Sequence, residues 1–173
     1  VGVPGLLNDG QTAVFCNSAN SADKLSAAGV IPTSGSWCIE LLLINYQYDN
    51  GNTYGICCAN NTGSTGLAWW NNMNGYGLGY SDYSNNHITG IYSGLSAILF
   101  HAEWDGTDQY TSVNGIQVGS GASPSGGTLS GGLIVGGLNG GYWGTMIVQN
   151  IAVYNARLTA AQKLTNMSAV FRR

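Results

Sequence analysis

Apolar runs of strand length, each closed by a turn dipeptide, fill the second half of this chain and restrict it to antiparallel β structure. Ala97–Val118 reads AILFHAEWDGTDQYTSVNGIQV, and Leu133–Leu158 reads LIVGGLNGGYWGTMIVQNIAVYNARL. The spacing predicts strands at Leu95–Trp104, Gln109–Val113, Ile116–Val118, Leu129–Val135 and Gly144–Tyr154. Asp105–Asp108 and Asn114-Gly115 are the turns, and Gly119–Thr128 is a flexible connection. Thr159-Ala160-Ala161-Gln162 then has the Thr-x-x-Gln form of a capping box, in which side chains satisfy the orphan N–H groups of a helix start. Leu164, Met167 and Phe171 follow at helical spacing, so a helix from about Ala160 to Val170 is expected to pack that stripe on the sheets.

The first half is written less sharply. Val1–Gln11 is punctuated by Gly and Pro and reads as surface chain ahead of a strand at Thr12–Cys16. Asn17–Ser36 is small and polar, with one helical turn expected at Ala22–Ala28. Trp37–Tyr48 is the strongest strand: Ile39, Leu41 and Leu43 alternate with Glu40, Leu42, Ile44 and Tyr46, so both faces are apolar and the strand belongs at a sheet centre. Asn50-Gly51 predicts a tight turn into Thr53–Ala59, giving a first hairpin. Leu67–Trp70 is a short strand. From Asn71 to Asn86 only Met73 and Leu78 are aliphatic, which leaves a weak strand near Gly77–Tyr80 between long loops.

One domain fits the 173 residues, because a chain of this length buries roughly 70% of its surface on folding. Charged residues are 8% of the chain, against about a quarter in ordinary globular proteins, while five Trp and ten Tyr are present. The surface must therefore be polar but nearly uncharged, and the aromatic content argues against disorder. A net charge of −3 with five basic residues, two of them Arg172 and Arg173, offers no patch to neutralise phosphates and argues against nucleic acid as a partner. No run approaches the roughly 20 apolar residues that span a bilayer, which argues against membrane insertion. No basic segment leads into an apolar one at the N-terminus. The chain begins at Val, which reads as a processed product or a module cut from something longer.

Four cysteines allow three pairings, and the vicinal Cys57-Cys58 places successive side chains on opposite faces of a strand. Free, mostly buried thiols are the first expectation, and a Cys16–Cys38 bridge is the alternative. A zinc site is disfavoured, because Cys-Cys lacks a spacer and His87 and His101 lie far off in sequence.

The order of a strand ending in Trp104-Asp105-Gly106, a short strand, the Val113-Asn114-Gly115 turn, a further strand, and then Ile151-x-Val153-Tyr154-Asn155-x-x-Leu158-Thr159 resembles the concanavalin A-like lectin/glucanase superfamily in its laminin-G-like branch. The resemblance covers the last half of the chain closely and the first half loosely. It implies an all-β fold, a two-sheet antiparallel jelly-roll sandwich with a short C-terminal helix. Lectins, glycosidases, adhesion modules and virion proteins share that fold, so function must be argued from the site.

Catalysis is the first chemistry to weigh. Glu103, Asp105 and Asp108 echo the Glu-x-Asp-x-x-Glu signature of the laminarinase-like glycosidases. Asp105-Gly106, however, has turn chemistry, whereas a nucleophile and an acid must stand about 5–5.5 Å apart on a rigid strand. Glu40 reads as a hydrogen-bonded strand residue, and His101 as a satisfied sheet histidine rather than a base. No serine sits in a Gly-x-Ser-x-Gly elbow, and Gly136–Gly141 lacks the Lys-Ser/Thr of a phosphate loop. The chain therefore reads as a non-enzyme. No cofactor is called for. Calcium is the one ion worth weighing, with Asp105 and Asp108 as its two possible ligands, and a solvated turn is the simpler reading of that pair.

What remains is a ligand-like set: Trp69, Trp70, Asn71, Asn72, Tyr76, Tyr80 and Tyr83, with Tyr142 and Trp143 from the later loop. Sugars present flat C–H faces and dense hydroxyls, so their sites combine aromatic platforms with Asn or Asp side chains. Subunit interfaces share that composition, and strand alternation turns one of Trp69 and Trp70 into the core. Glycan or cell-surface contact, subunit contact within a homo-oligomer or virion, and plain scaffold all stay open. The nearly neutral surface resembles jelly-roll modules of bacteriophage tail fibres, head fibres and capsid decoration proteins. The leading expectation is thus a lectin-like adhesion module on a virion surface or an extracellular bacterial protein. A ligand-free structural virion subunit and a laminarinase-like glycosidase are the alternatives.

Overall fold

A strand that is apolar on both faces must be covered on both, and the fold is arranged around that demand. The computed structural model describes residues 2–4, 12–17, 24–45, 54–59, 67–71, 78–81, 86–90, 96–122, 132–137 and 144–172. Its strands are β1 (Gly2–Pro4), β2 (Thr12–Cys16), β3 (Leu25–Ala27), β4 (Trp37–Asn45), β5 (Tyr54–Ala59), β6 (Leu67–Asn71), β7 (Leu78–Ser81), β8 (Asn86–Gly90), β9 (Ile98–Trp104), β10 (Asp108–Val113), β11 (Ile116–Ala122), β12 (Leu133–Val135) and β13 (Met146–Tyr154). One helix, α1 (Ala160–Phe171), closes the described chain. Seven strands form one sheet in the order β1-β2-β13-β4-β9-β10-β11, and six form the other in the order β3-β12-β5-β6-β7-β8. Every pairing is antiparallel, and the two sheets face each other as a jelly-roll sandwich.

β4 stands in the middle of the seven-stranded sheet. Its inward side chains Trp37, Ile39, Leu41 and Leu43 meet Ile56, Cys57, Leu67, Trp69 and Val135 from the facing sheet in one continuous core. Trp37 and Trp69 close it with an edge-to-face contact, centroids 5.9 Å apart and planes at 70°, the geometry that aromatic quadrupoles favour. Two bulges tune this core. The shift between Gly55 and Cys57 lets the successive residues Ile56 and Cys57 both enter it. The shift between Val148 and Asn150 resets the phase of β13, so that Val148, Ile151 and Val153 pair with Leu43, Leu41 and Ile39.

Most of the second half follows the sequence pattern closely. Asn114 and Gly115 take φ of 50° and 81°, as a two-residue hairpin turn of primed type requires, and Asn114 Oδ1 accepts the Leu99 N–H at 2.9 Å. The capping box is present: the Gln162 N–H donates to Thr159 Oγ1 at 3.2 Å, and the Thr159 N–H to Gln162 Oε1 at 2.8 Å. β11 continues to Ala122, beyond the expected Val118.

The first half departs in four places. The helical turn expected at Ala22–Ala28 is replaced at Leu25–Ala27 by β3, whose backbone groups are satisfied by pairing with β12. β1 and β8 are strands where the sequence pattern predicts none, and both carry Gly, Pro or Asn at an edge of their sheet. The first hairpin does not form: β4 pairs with β9 and β13, while β5 pairs with β6 and β12 in the other sheet. That connection crosses between layers, because β4 buries both faces and needs two full-length neighbours. Its Asn50-Gly51 lies outside the described residues. The cysteines follow the first expectation instead: Cys38 is a free buried thiol, the alternative Cys16–Cys38 bridge is not made, and Cys16 and Cys57 are buried within the core.

Gly144, two residues before β13, lies hard against the backbone of β5. A Cβ there would lie 2.5 Å from the Gly55 carbonyl oxygen, so only glycine fits. Gly144→Ala is therefore expected to cost about 1–3 kcal/mol through forced backbone displacement. Urea unfolding of the two proteins under identical conditions measures it.

Candidate functional site

The outward face of the central strands carries the chain's buried charges. Register places Cys38 opposite Glu103, Glu40 opposite His101 and Leu42 opposite Leu99 on β4 and β9, with Ser112 of β10 opposite His101. α1 lies over this row and buries it: Glu40, His101, Glu103, Ser112 and Lys163 are each at most 3% exposed. His101 Nε2 donates to Glu40 Oε2 at 2.9 Å, and Asn166 Nδ2 donates to the same oxygen at 2.8 Å. The Tyr154 hydroxyl donates to Glu40 Oε1 at 3.2 Å. Lys163 Nζ is bonded directly to Glu103 Oε2 and donates to Ser112 Oγ at 2.8 Å. Arg157 Nε stands 3.6 Å from Glu103 Oε1, and its guanidinium lies 3.4 Å above the Tyr110 ring.

These surroundings set the protonation states. Burial pushes the Glu40 carboxyl upward, but the bonds from His101, Asn166 and Tyr154 outweigh it and hold the group below its ordinary value. Burial, joined by the charge of Glu40, pushes Tyr154 up to about 12. Burial and the neighbouring carboxylates push the Cys38 thiol up, which makes it a poor nucleophile.

The glycosidase echo separates in space. Glu103 is sealed beneath α1 and committed to Lys163, whereas Asp105 is exposed in a turn. There its Oδ1 accepts the N–H groups of Thr107 and Asp108, both at 2.8 Å, and its Oδ2 accepts the Tyr110 hydroxyl at 2.6 Å. Among the described residues no group of three or more His, Cys, Asp or Glu converges in a metal-holding arrangement. His101 is bonded through Nε2 alone, its Nδ1 lacking a partner.

The predicted ligand set divides differently. Trp69 is fully buried against Trp37, and its Nε1 donates to the Tyr110 carbonyl at 3.3 Å. It is core, and this corrects its place in a ligand-facing set; it is the member of the Trp69-Trp70 pair that alternation sends inward. Trp70, Asn71 and Tyr80 belong to β6 and β7, where Trp70 pairs with Gly55 and Gly79, Asn71 with Tyr54 and Leu78, and Tyr80 with Trp69 and His87. Asn72, Tyr76, Tyr83, Tyr142 and Trp143 lie outside the described residues. Gly144, next in chain after Trp143, abuts Gly55, the strand partner of Trp70.

Sequence reasoning misses the role of α1. Its apolar stripe is expected to face the sandwich, yet Leu164 and Phe171 are 45% and 40% exposed, and Lys163 is the buried residue. The signal is present in the alternation of Cys38-Ile39-Glu40 and Leu99-Phe100-His101-Ala102-Glu103: a strand with carboxylates on its second face needs a cation to cover it. A second feature is also absent from the sequence pattern. Leu25, Val30, Leu133, Val135, Ile151 and Val153 line an apolar groove of about 330 Å³ where β3 and β12 lean toward β13.

No family model matches the sequence, and no curated protein matches it. Solved structures do share the fold. The binding domain of Paraclostridial Mosquitocidal Protein 1 superposes with a TM-score of 0.73 at 13% identity, over 98% of this chain and 45% of that one. The binding domain of botulinum neurotoxin DC, solved in complex with rat synaptotagmin II, gives 0.69 at 7% identity over 98% and 45%. Trypanosoma rangeli sialidase gives 0.65 at 17% identity over 79% of this chain and 23% of that one. The chain thus spans less than half of the structures it resembles, and at these identities the likeness defines the fold class, an antiparallel jelly-roll β-sandwich with one C-terminal helix.

The buried pairs predict an asymmetric mutational response. Lys163→Met alone strands the Glu103 carboxylate and should cost about 3–5 kcal/mol, whereas Lys163→Met with Glu103→Leu should recover most of it. A double-mutant cycle by chemical denaturation checks this, and additive losses would contradict it.

Proposed function

We propose that this chain is a non-enzymatic, lectin-like binding module of the concanavalin A-like class, displayed on a virion or on a secreted bacterial surface protein. In this reading the module contacts glycans or a neighbouring protein subunit through Trp70, Asn71, Asn72, Tyr76, Tyr80 and Tyr83, together with Tyr142 and Trp143. The observation that carries the reading is that Gly144, next in chain after Trp143, abuts Gly55, the strand partner of Trp70; in this reading the two aromatic segments share one rim. Two further facts support it. The carboxylates that would have to do hydrolytic work are committed elsewhere, Glu103 to Lys163 and Asp105 to its own turn. The similar structures include binding domains, one of them in complex with rat synaptotagmin II.

An uncharged site of this kind binds through stacking and neutral hydrogen bonds, so single contacts are weak and display in many copies supplies the strength. Linked weak sites gain roughly 10²–10⁴ in avidity. The same rim, repeated in a ring or trimer, would serve as a subunit contact.

On a glycan array or in a polysaccharide pull-down, the module is expected to bind weakly, and Trp70→Ala with Tyr76→Ala is expected to abolish that binding. Retention by the double variant would remove the proposed site. Hydrolysis of β-glucans that disappears in Glu103→Gln would overturn the non-enzymatic reading. A stable trimer or larger ring in light scattering, without glycan binding, would assign the rim to assembly instead.

A further inference from the structure

We propose that α1 is an acid-released latch, held on the outer face of the seven-stranded sheet by the carboxylates of Glu40 and Glu103 and freed when Glu40 is neutralised, while the sandwich beneath stays folded. The latch is independent of any binding role of the aromatic rim.

A helix docked by the hydrophobic effect buries an apolar stripe, but in α1 Leu164 and Phe171 stay substantially exposed and Lys163 is the buried residue. The polar ties of α1 to the sheet run from Asn166 to Glu40 and Tyr154, and from Lys163 to Glu103 and Ser112. Two carboxylates are thus the hubs of its attachment. The groups facing them from every packed element are Cys38 on β4, His101 on β9, Tyr154 on β13, Arg157 in the approach to α1, and Lys163 on α1 itself.

Removing the Glu103 charge by substitution leaves the buried Lys163 ammonium without its counter-charge, so that it gains by reaching water. Lifting α1 is the route to water. Neutralising Glu40 replaces a charged acceptor of three donors by a neutral carboxylic acid whose own proton must find a partner in the same crowded row. Glu40 fixes the sign of the pH dependence. Its pKa is held below the ordinary 4.5 in the folded protein, so its contribution is complete above that value and is lost as pH falls through the folded value. The core between the sheets has no such dependence, being built from Trp37, Ile39, Leu41, Phe100 and their partners.

Cys38 supplies the readout, because it is a free buried thiol on the face that α1 covers, while Cys16 and Cys57 lie between the sheets. The protein would be labelled with 4,4′-dithiodipyridine from pH 7 to pH 3.5, with rates normalised to a small thiol at each pH and sites assigned by peptide mass. As pH falls through the lowered folded value of Glu40, Cys38 is expected to react about tenfold faster, ahead of the Cys16 peptide and the peptide that carries Cys57 and Cys58. In Glu40→Gln combined with Glu103→Gln, Cys38 should already react quickly at pH 7 and gain little on acidification. Reactivity of all the cysteine peptides rising together, or a variant profile identical to that of the unaltered protein, would overturn the latch. Hydrogen exchange on the unaltered protein at pH 4 tests the latch without mutation: α1 amides losing protection before those of β4 and β9 supports it, and simultaneous loss refutes it.

Discussion

The architecture depends on the double burial of β4 and β9. A central strand pair in a sandwich presents one face to the opposing sheet and the other to whatever covers the sheet from outside. Here the inner face is aliphatic and aromatic, from Trp37 to Leu43 and from Ile98 to Trp104, and the outer face alternates apolar residues with Glu40, His101 and Glu103. Carboxylates so buried must be matched in charge and hydrogen bonding or they would unfold the sheet. The match comes from the last described element, which delivers Lys163 and Asn166 to them. A chain with only five basic residues places one of them at the centre of this contact.

Such an arrangement adds definition more than raw stability. Apolar side chains of similar volume could cover β4 and β9 at least as well, since a buried ion pair roughly offsets its own desolvation. What the pairs add is a single docking position for α1. Lys163 reaches Glu103 only when Asn166, nearly one turn further on, reaches Glu40, and a displacement of the helix breaks both. Gly115 tightens the fit, because a Cβ there would lie 2.8 Å from Leu164 Cδ2.

The legible parts of the fold are those fixed by local chemistry. Asn114-Gly115, Asp105-Gly106, the Thr159/Gln162 box and the two-faced pattern of β4 each require nothing beyond their own neighbours, and each stands where the pattern puts it. The errors arise where a distant partner decides the outcome. Leu25–Ala27 has no strand signature and becomes a strand because β12 offers it an edge. Asn50-Gly51 signals a hairpin between strands that belong to different sheets, since turn chemistry specifies a reversal but not the layer in which the chain resumes. The stripe Leu164, Met167 and Phe171 is only partly covered, with Met167 half-buried and Leu164 resting on Gly115, because periodicity identifies faces without saying which one the environment has prepared to receive. Of the aromatic set, alternation alone suffices to send one of Trp69 and Trp70 inward, and the structure makes it Trp69.

Coverage of the sheets also narrows where a ligand can be met. The inner faces of both sheets are consumed by the common core, and the outer face of the seven-stranded sheet is closed over β4, β9 and β10 by α1. Concave-face chemistry of the glycosidase kind needs an open sheet face with carboxylates standing on it, and on this chain the carboxylates of β4 and β9 stand beneath a helix. On the proposed reading, a recognition surface is left to the six-stranded sheet and to the edge where Gly144 abuts β5. There a Cβ on Gly144 would meet the Gly55 carbonyl oxygen at 2.5 Å, and close backbone contact of this kind resists displacement. Rigidity of this kind is what weak stacking contacts need, because a platform that must first be ordered loses in entropy much of what a sugar ring can return.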